Sequence, residues 1–151
     1  MSLQELLTNP SFIQQVNWTE KRYKQGDVVM KENNAGNDLF IVLNGELEVR
    51  TDLSESLDTA MENKGLGLAR LKAGDIFGEF SLFDKEPRSA KVLASTKCTI
   101  AKVNGQKLIQ FMDNNPAEGY LLMREFFENL VSIMRQGNIR TKTILEMYLS
   151  S

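Results

Sequence analysis

In the stretch GEFSLFDKEPRSAKV, residues 78–92, a glutamate follows a glycine and an arginine follows a proline, nine positions apart. A carboxylate and a guanidinium at that separation can close a loop as an ion pair, or they can address two groups of one ligand. The residues after Pro87 bear on the choice. Alternate residues of a strand share a face, so Arg88, Ala90 and Val92 point one way and Ser89, Lys91 and Leu93 the other. Alanine and valine belong inside, and an arginine on their face needs a partner because an unpaired buried charge is costly. Glu79 is a candidate partner, which is the plain structural reading.

Two features fit a ligand better. Gly78 allows close backbone approach, and GEFSLF has the composition of one helical turn whose free N–H groups attract an anion. Pro87 pushes Glu86 into extended backbone, which ends that turn and restrains Arg88. The result is an anion cradle, with a guanidinium for two oxygens and backbone donors from Ser89, Ala90 and the turn. A glutamate inside such a cradle suits a ligand that also carries a donor, as a sugar hydroxyl beside a phosphate does.

The rest of the composition removes competing chemistry. The chain of 151 residues contains no histidine and one cysteine, Cys98. The common general base and the usual zinc and haem ligands are therefore missing, and no internal disulfide can form. Cys98 lies in the alternating run KCTIAKV, which makes it a core residue of a strand in a reducing compartment. A net charge of −2 and a pI near 5.3 give no global attraction to nucleic acid or an anionic membrane, so direct nucleic-acid binding is not expected. No run approaches the roughly 20 apolar residues that span a bilayer, and the N-terminus lacks the basic and apolar regions of a signal peptide. A cytoplasmic single domain of residues 1–151, without metal or cofactor, is the expectation.

The elements that must hold the cradle are read from periodicity. Residues 1–17 suggest one or two helical turns interrupted at Asn9-Pro10. From residue 18 the texture becomes short apolar runs punctuated by glycine, predicting strands over 28–31, 39–43, 46–50, 67–71, 89–94 and 98–103. Asn44-Gly45 predicts a tight hairpin between the second and third of these. Such a series reads as a sandwich or barrel over 18–113. The polar run 52–65 is expected to be an exposed insertion.

Helices are expected over 116–151. Asn115, Pro116 and Glu118 have the chemistry of a helix start, and Gly137-Asn138 that of a stop, with a short terminal helix after it. Leu122, Phe126, Leu130, Ile133 and Met134 recur at helical spacing, while Leu121, Met123, Phe127 and Val131 widen the stripe. Either all of it packs on the β-structure, or part of it pairs with the same helix of a second subunit.

These residues carry a family resemblance. FGEFSLFDKEPRSAKVLA resembles the phosphate-binding cassette of cyclic nucleotide-binding domains, an F-G-E-x-[AS]-L turn followed by P-R-[AST]-A and a strand. The upstream YKQGDVVMKENNAGNDLFIVLNGELEV and LKAGDIFGE are similar to the family's glycine-punctuated strands, and the likeness runs from about Tyr23 to Phe127. It implies a mainly β fold with flanking helices: an eight-stranded jelly-roll β-barrel, or double-stranded β-helix, with an N-terminal helical segment and a C-terminal lid helix.

Carried across position by position, the resemblance implies that Glu79 accepts the ribose 2′-hydroxyl and Arg88 holds the cyclic phosphate of cyclic AMP or cyclic GMP. Gly78, Phe80, Ser81, Ser89 and Ala90 contribute mainly backbone contacts. Phe80 is bulkier than the family's usual aliphatic residue, and Lys91 replaces a frequent Thr or Ser. Ile133 and Met134 fall where a catabolite-activator-like protein offers Thr and Ser to adenine, which implies base recognition by stacking and burial. A sensor that signals through its C-terminal helix to an unidentified effector follows, and few residues after Gly137 remain for a DNA-binding motif. The alternative is a fold kept as a ligand-free interaction or dimerisation module. A cupin-type enzyme lacks its histidine ligands.

Overall fold

The computed structural model describes the backbone of residues 2–30, 37–50, 69–83 and 91–149. Helices α1 (Leu3–Leu6) and α2 (Pro10–Gln15) open the chain, on either side of the predicted break. The Asn9 side chain accepts from the amides of Ser11 and Phe12, and Pro10 occupies the first helical position where its missing N–H costs nothing.

Eight strands follow among the described residues: β1 (Trp18–Tyr23), β2 (Val28–Met30), β3 (Asp38–Asn44), β4 (Leu47–Arg50), β5 (Ala69–Leu71), β6 (Ile76–Phe77), β7 (Lys91–Ala94) and β8 (Cys98–Asn104). They form two antiparallel sheets, ordered β1-β8-β3-β6 and β2-β7-β4-β5. Helices α3 (Gly105–Asn114) and α4 (Pro116–Leu149) close the chain. The mainly antiparallel β-structure with flanking helices is the jelly-roll architecture expected.

Strands β3, β6 and β8 of the first sheet are buried on both faces. Leu39 and Ile41 of β3, Ile76 of β6 and Ala101 and Val103 of β8 join Leu3, Leu6, Phe12, Leu108, Phe111, Leu122 and Phe126 in a core on the helical side. Their neighbours in sequence, Phe40, Val42, Phe77 and Ile100, together with Cys98 at the start of β8, meet Leu47, Val92 and Ala94 of the second sheet. The strict alternation of pleated side chains explains how DLFIVLN, almost wholly apolar, serves two cores at once. Phe40 and Phe77 stack with centroids 4.9 Å apart, and Phe12 meets Phe111 edge to face at 5.1 Å. Each fully buried aliphatic side chain here stabilises by about 1.5–3 kcal/mol.

Several expectations are corrected. The turn at Asn44-Gly45 is tight, with φ +93 at Gly45, yet it does not close a hairpin: β3 pairs with β6 and β8, whereas β4 pairs with β5 and β7. The chain uses it to pass from one sheet to the other. A side chain at Gly45 would meet the Lys97 carbonyl and Cys98, so close approach as well as backbone conformation requires glycine. β1 was not among the predicted strands because WTEKRY is largely exposed and shows no apolar alternation; its pairing with β8 makes it a strand. Two-residue β6 is likewise defined by its register, Phe40 opposite Phe77.

The span 18–113 also contains a helix, α3, started by Asn104, whose side chain accepts from the Lys107 amide at 3.0 Å. Gly137-Asn138 does not end a helix, and no separate terminal helix follows: α4 runs unbroken for 34 residues. One interior glycine costs only about 1 kcal/mol relative to alanine, and here it keeps helical backbone instead of the left-handed conformation of a stop. Asn115 does stand at the start of α4, where its carbonyl accepts from Gly119, but its side-chain amide turns back to the Phe111 carbonyl at 2.9 Å. The run 52–65 lies outside the described residues.

Candidate functional site

The site is built where β6 leaves the first sheet. Phe77 and Ile76 are each locked into a different core, so the backbone can turn only after them. Gly78 makes that turn with φ +80, a conformation other residues enter with strain. Residues Glu79–Leu82 then form one 3-10 turn, in agreement with the helical turn read from GEFSLF. Leu82 anchors its far end against the helical-side core. The start of α3 lies close by, since a side chain at Gly105 would strike the Asn37 carbonyl and Leu82.

This anchoring draws Glu79 inside. It is 2% exposed and is the buried charged residue of the described set. Burial pushes its carboxyl above the ordinary range for glutamate, while its own backbone N–H and the Asn129 amide pull the other way. Asn129 Nδ2 donates to Glu79 Oε1 at 2.8 Å and lies 3.4 Å from the Ile76 carbonyl oxygen. Asn129 reaches this position because α4 buries Leu122 and Phe126, and one further turn brings position 129 to the same face. A carboxylate so sealed is a strong acceptor for a donor that enters with the geometry to reach it.

Asn129 was not singled out in the sequence. Its signal was there, a polar residue continuing the Leu122–Phe126 face, where a side chain that buries its amide requires a hydrogen-bond partner.

Of the other residues named from sequence, Phe80 and Ser81 belong to the 3-10 turn, but their side chains lie outside the described set. Arg88, Ser89 and Ala90 fall outside the described residues, so the Glu79–Arg88 relation is not visible. The alternation assigned to that strand holds where it can be followed: Val92 and Ala94 are buried, and Lys91 and Leu93 are half-buried on the other face. Ile133 lies in α4 with its side chain undescribed, and Met134 is 58% exposed.

Cys98 is 2% exposed, and burial, then the nearby Asp27, raise its thiol above its usual range, so it is a protonated core residue as expected. No group of three or more metal-ligating side chains occurs among the described residues. Nor, among them, is any helix long and apolar enough to cross a membrane.

The N-terminal segment is fastened to the same long helix. The Leu3 amide donates to Glu125 Oε2 at 2.8 Å, and Trp18 Nε1 donates to the Leu7 carbonyl at 3.0 Å. α1, α2, α3 and the first half of α4 thus share one core with the sheet that carries the site.

Comparison with known proteins extends this geometry. The family model for the cyclic nucleotide-binding domain matches residues 20–115. A cAMP-dependent protein kinase regulatory subunit from Yarrowia lipolytica is 32% identical over 108 residues, 66% of this chain and 26% of that protein. A cGMP-dependent protein kinase from Toxoplasma gondii is 29% identical over 120 residues, 79% of this chain and 10% of that protein. A crystal structure of a cyclic nucleotide-binding domain from Methylobacillus flagellatus superposes with a TM-score of 0.69 at 27% identity, covering 82% of this chain and 65% of that one. The chain spans about a quarter or less of the length of the curated relatives it matches.

Proposed function

The chain belongs to the cyclic nucleotide-binding domain family, and we propose that it is a non-catalytic regulatory module that binds cyclic AMP in its 78–90 segment and answers by movement of α4. The observation that carries this reading is Glu79: a carboxylate 2% exposed, held on a glycine-initiated turn and bonded to the long helix. A domain that needed only stability would gain more from an apolar residue there, since a buried charge is costly to desolvate.

In this reading Glu79 accepts the ribose 2′-hydroxyl, and Arg88 pairs with the cyclic phosphate. The backbone of Gly78, Phe80, Ser81, Ser89 and Ala90 supplies the remaining donors. Ile133 and Met134 of α4 cover the base by stacking and burial. The match to a cAMP-dependent kinase regulatory subunit favours cyclic AMP over cyclic GMP, and the regulatory setting of that relative favours an effector protein as the recipient of the signal. Ligand-driven motion of α4 is a shift between helix positions, driven by whatever difference in affinity the two positions have for the nucleotide.

Helix α4 also presents Tyr120, Met123 and Phe127 to solvent, 64%, 44% and 65% exposed. Their spacing of three and four residues makes one stripe, distinct from the buried Leu122 and Phe126, and it matches the seam by which two helices pair. A second copy of the chain is the partner this stripe suits.

Titration calorimetry of purified, ligand-free protein with cyclic AMP and cyclic GMP tests the reading. Heat of binding is expected with cyclic AMP, and Arg88→Ala should weaken it by about 2–5 kcal/mol because one side of a desolvated charge pair is lost. Absence of heat with both nucleotides at high micromolar concentration overturns the reading; wild-type affinity in Arg88→Ala overturns the phosphate assignment.

A further inference from the structure

We propose that Asn129 is a positioning residue for Glu79, and that through it the seating of α4 sets how strongly the site distinguishes a ribose from a deoxyribose. The inference rests on the cyclic nucleotide reading and adds to it a residue on the helix with a defined task.

The geometry is specific. Asn129 Nδ2 lies 2.8 Å from Glu79 Oε1 and 3.4 Å from the Ile76 carbonyl, so one amide spans the two ends of the bend at Gly78. That bridge holds the carboxylate plane relative to the sheet. An ionised carboxylate offers about four lone-pair sites on two oxygens, and Asn129 engages Oε1. A hydroxyl can therefore bond Oε2 while Asn129 stays in place, so helix and nucleotide cooperate instead of competing. If α4 lifts, the buried carboxylate loses its side-chain donor and becomes a poorer, less oriented acceptor. By reciprocity, a ribose hydroxyl that bonds a seated Glu79 holds α4 down by the same factor.

The consequence concerns one atom of the ligand, which separates it from general loosening of the domain. The test compares cyclic AMP with its 2′-deoxy analogue by titration calorimetry on wild type, Asn129→Ala, Glu79→Gln and the double variant. Wild type should prefer the ribonucleotide by about tenfold or more, the scale of a hydrogen bond to a charged group. In Asn129→Ala that preference should shrink by about threefold or more, even if both affinities fall together for other reasons. In the Glu79→Gln background the Asn129 change should leave the preference as it is, because the two residues act in series.

An Asn129→Ala protein that weakens both nucleotides equally, with the preference intact, overturns the proposal and leaves the function standing. A wild type that binds both nucleotides with equal affinity removes the ribose role of Glu79 and the proposal with it. A wild type that binds neither overturns the functional reading itself.

Discussion

Replacing Gly45 by alanine tests whether the passage between the two sheets depends on close contact as well as on backbone conformation. The position has φ +93, and a Cβ built there would lie 2.5 Å from the Lys97 carbonyl oxygen and 2.6 Å from Cys98 Cβ. Neither neighbour is the free end of a flexible side chain, and Cys98 is itself a buried core residue at the start of β8. Two costs therefore add. An L-residue at positive φ costs about 1–2 kcal/mol, and forcing a methyl group into a packed contact costs about 1–3 kcal/mol more.

Gly26 supplies the control. Its φ of +89 matches, yet nothing lies within 4 Å of its Cβ position, so Gly26→Ala carries only the conformational cost. In urea unfolding monitored by circular dichroism, Gly45→Ala should lose about 2–5 kcal/mol and Gly26→Ala about 1–2 kcal/mol. For a chain of this length each kcal/mol lowers the melting temperature by about 2–4 °C. Equal losses in the two variants, within about 0.5 kcal/mol, would refute the claim that the Gly45 turn is seated against β8.

Two further outcomes follow from burial and charge. Because burial raises the Glu79 carboxyl in the folded protein, the folded state holds its proton to higher pH than the unfolded state does. The stabilisation from that proton is full below the ordinary glutamate range and is lost as pH rises through the folded value. Glu79→Gln should therefore gain stability relative to wild type as pH rises above the ordinary glutamate range, and a pH-independent difference in urea unfolding would count against a desolvated Glu79. On α4, Phe126→Ala should cost about 3–5 kcal/mol of stability because it empties a core site. Phe127→Ala, 65% exposed, should leave monomer stability nearly unchanged and weaken self-association in sedimentation equilibrium; the reverse pattern would invert the two faces.

What could be read from the sequence was whatever follows from chemistry local to a few residues. Asn9-Pro10 starts a helix by its own capping and φ, Cys98 is buried by the alternation of KCTIAKV, and GEFSLF turns as its glycine allows. The elements that the sequence does not disclose depend on partners distant in the chain. WTEKRY is a strand because β8 lies beside it, and Asn44-Gly45 turns between sheets because β4 finds β5 and β7. The site shows the same division. Glu79 stood out by its glycine and its charge, whereas Asn129, 50 residues away, becomes its partner only once Leu122 and Phe126 have fixed the rotation of α4.

The length of α4 has a mechanical meaning. Its 34 residues make a rod of about 51 Å, of which the part beyond Asn129 accounts for about 30 Å. Pivoting such a rod by about 10° at the Glu79 bond would carry its far end about 5 Å, close to the pitch of a helical turn. In the proposed reading, a change the size of one hydrogen bond at the carboxylate would be magnified at the tip into a displacement large enough to move one element past another, with the barrel as the fixed mount and Asn129 at the fulcrum.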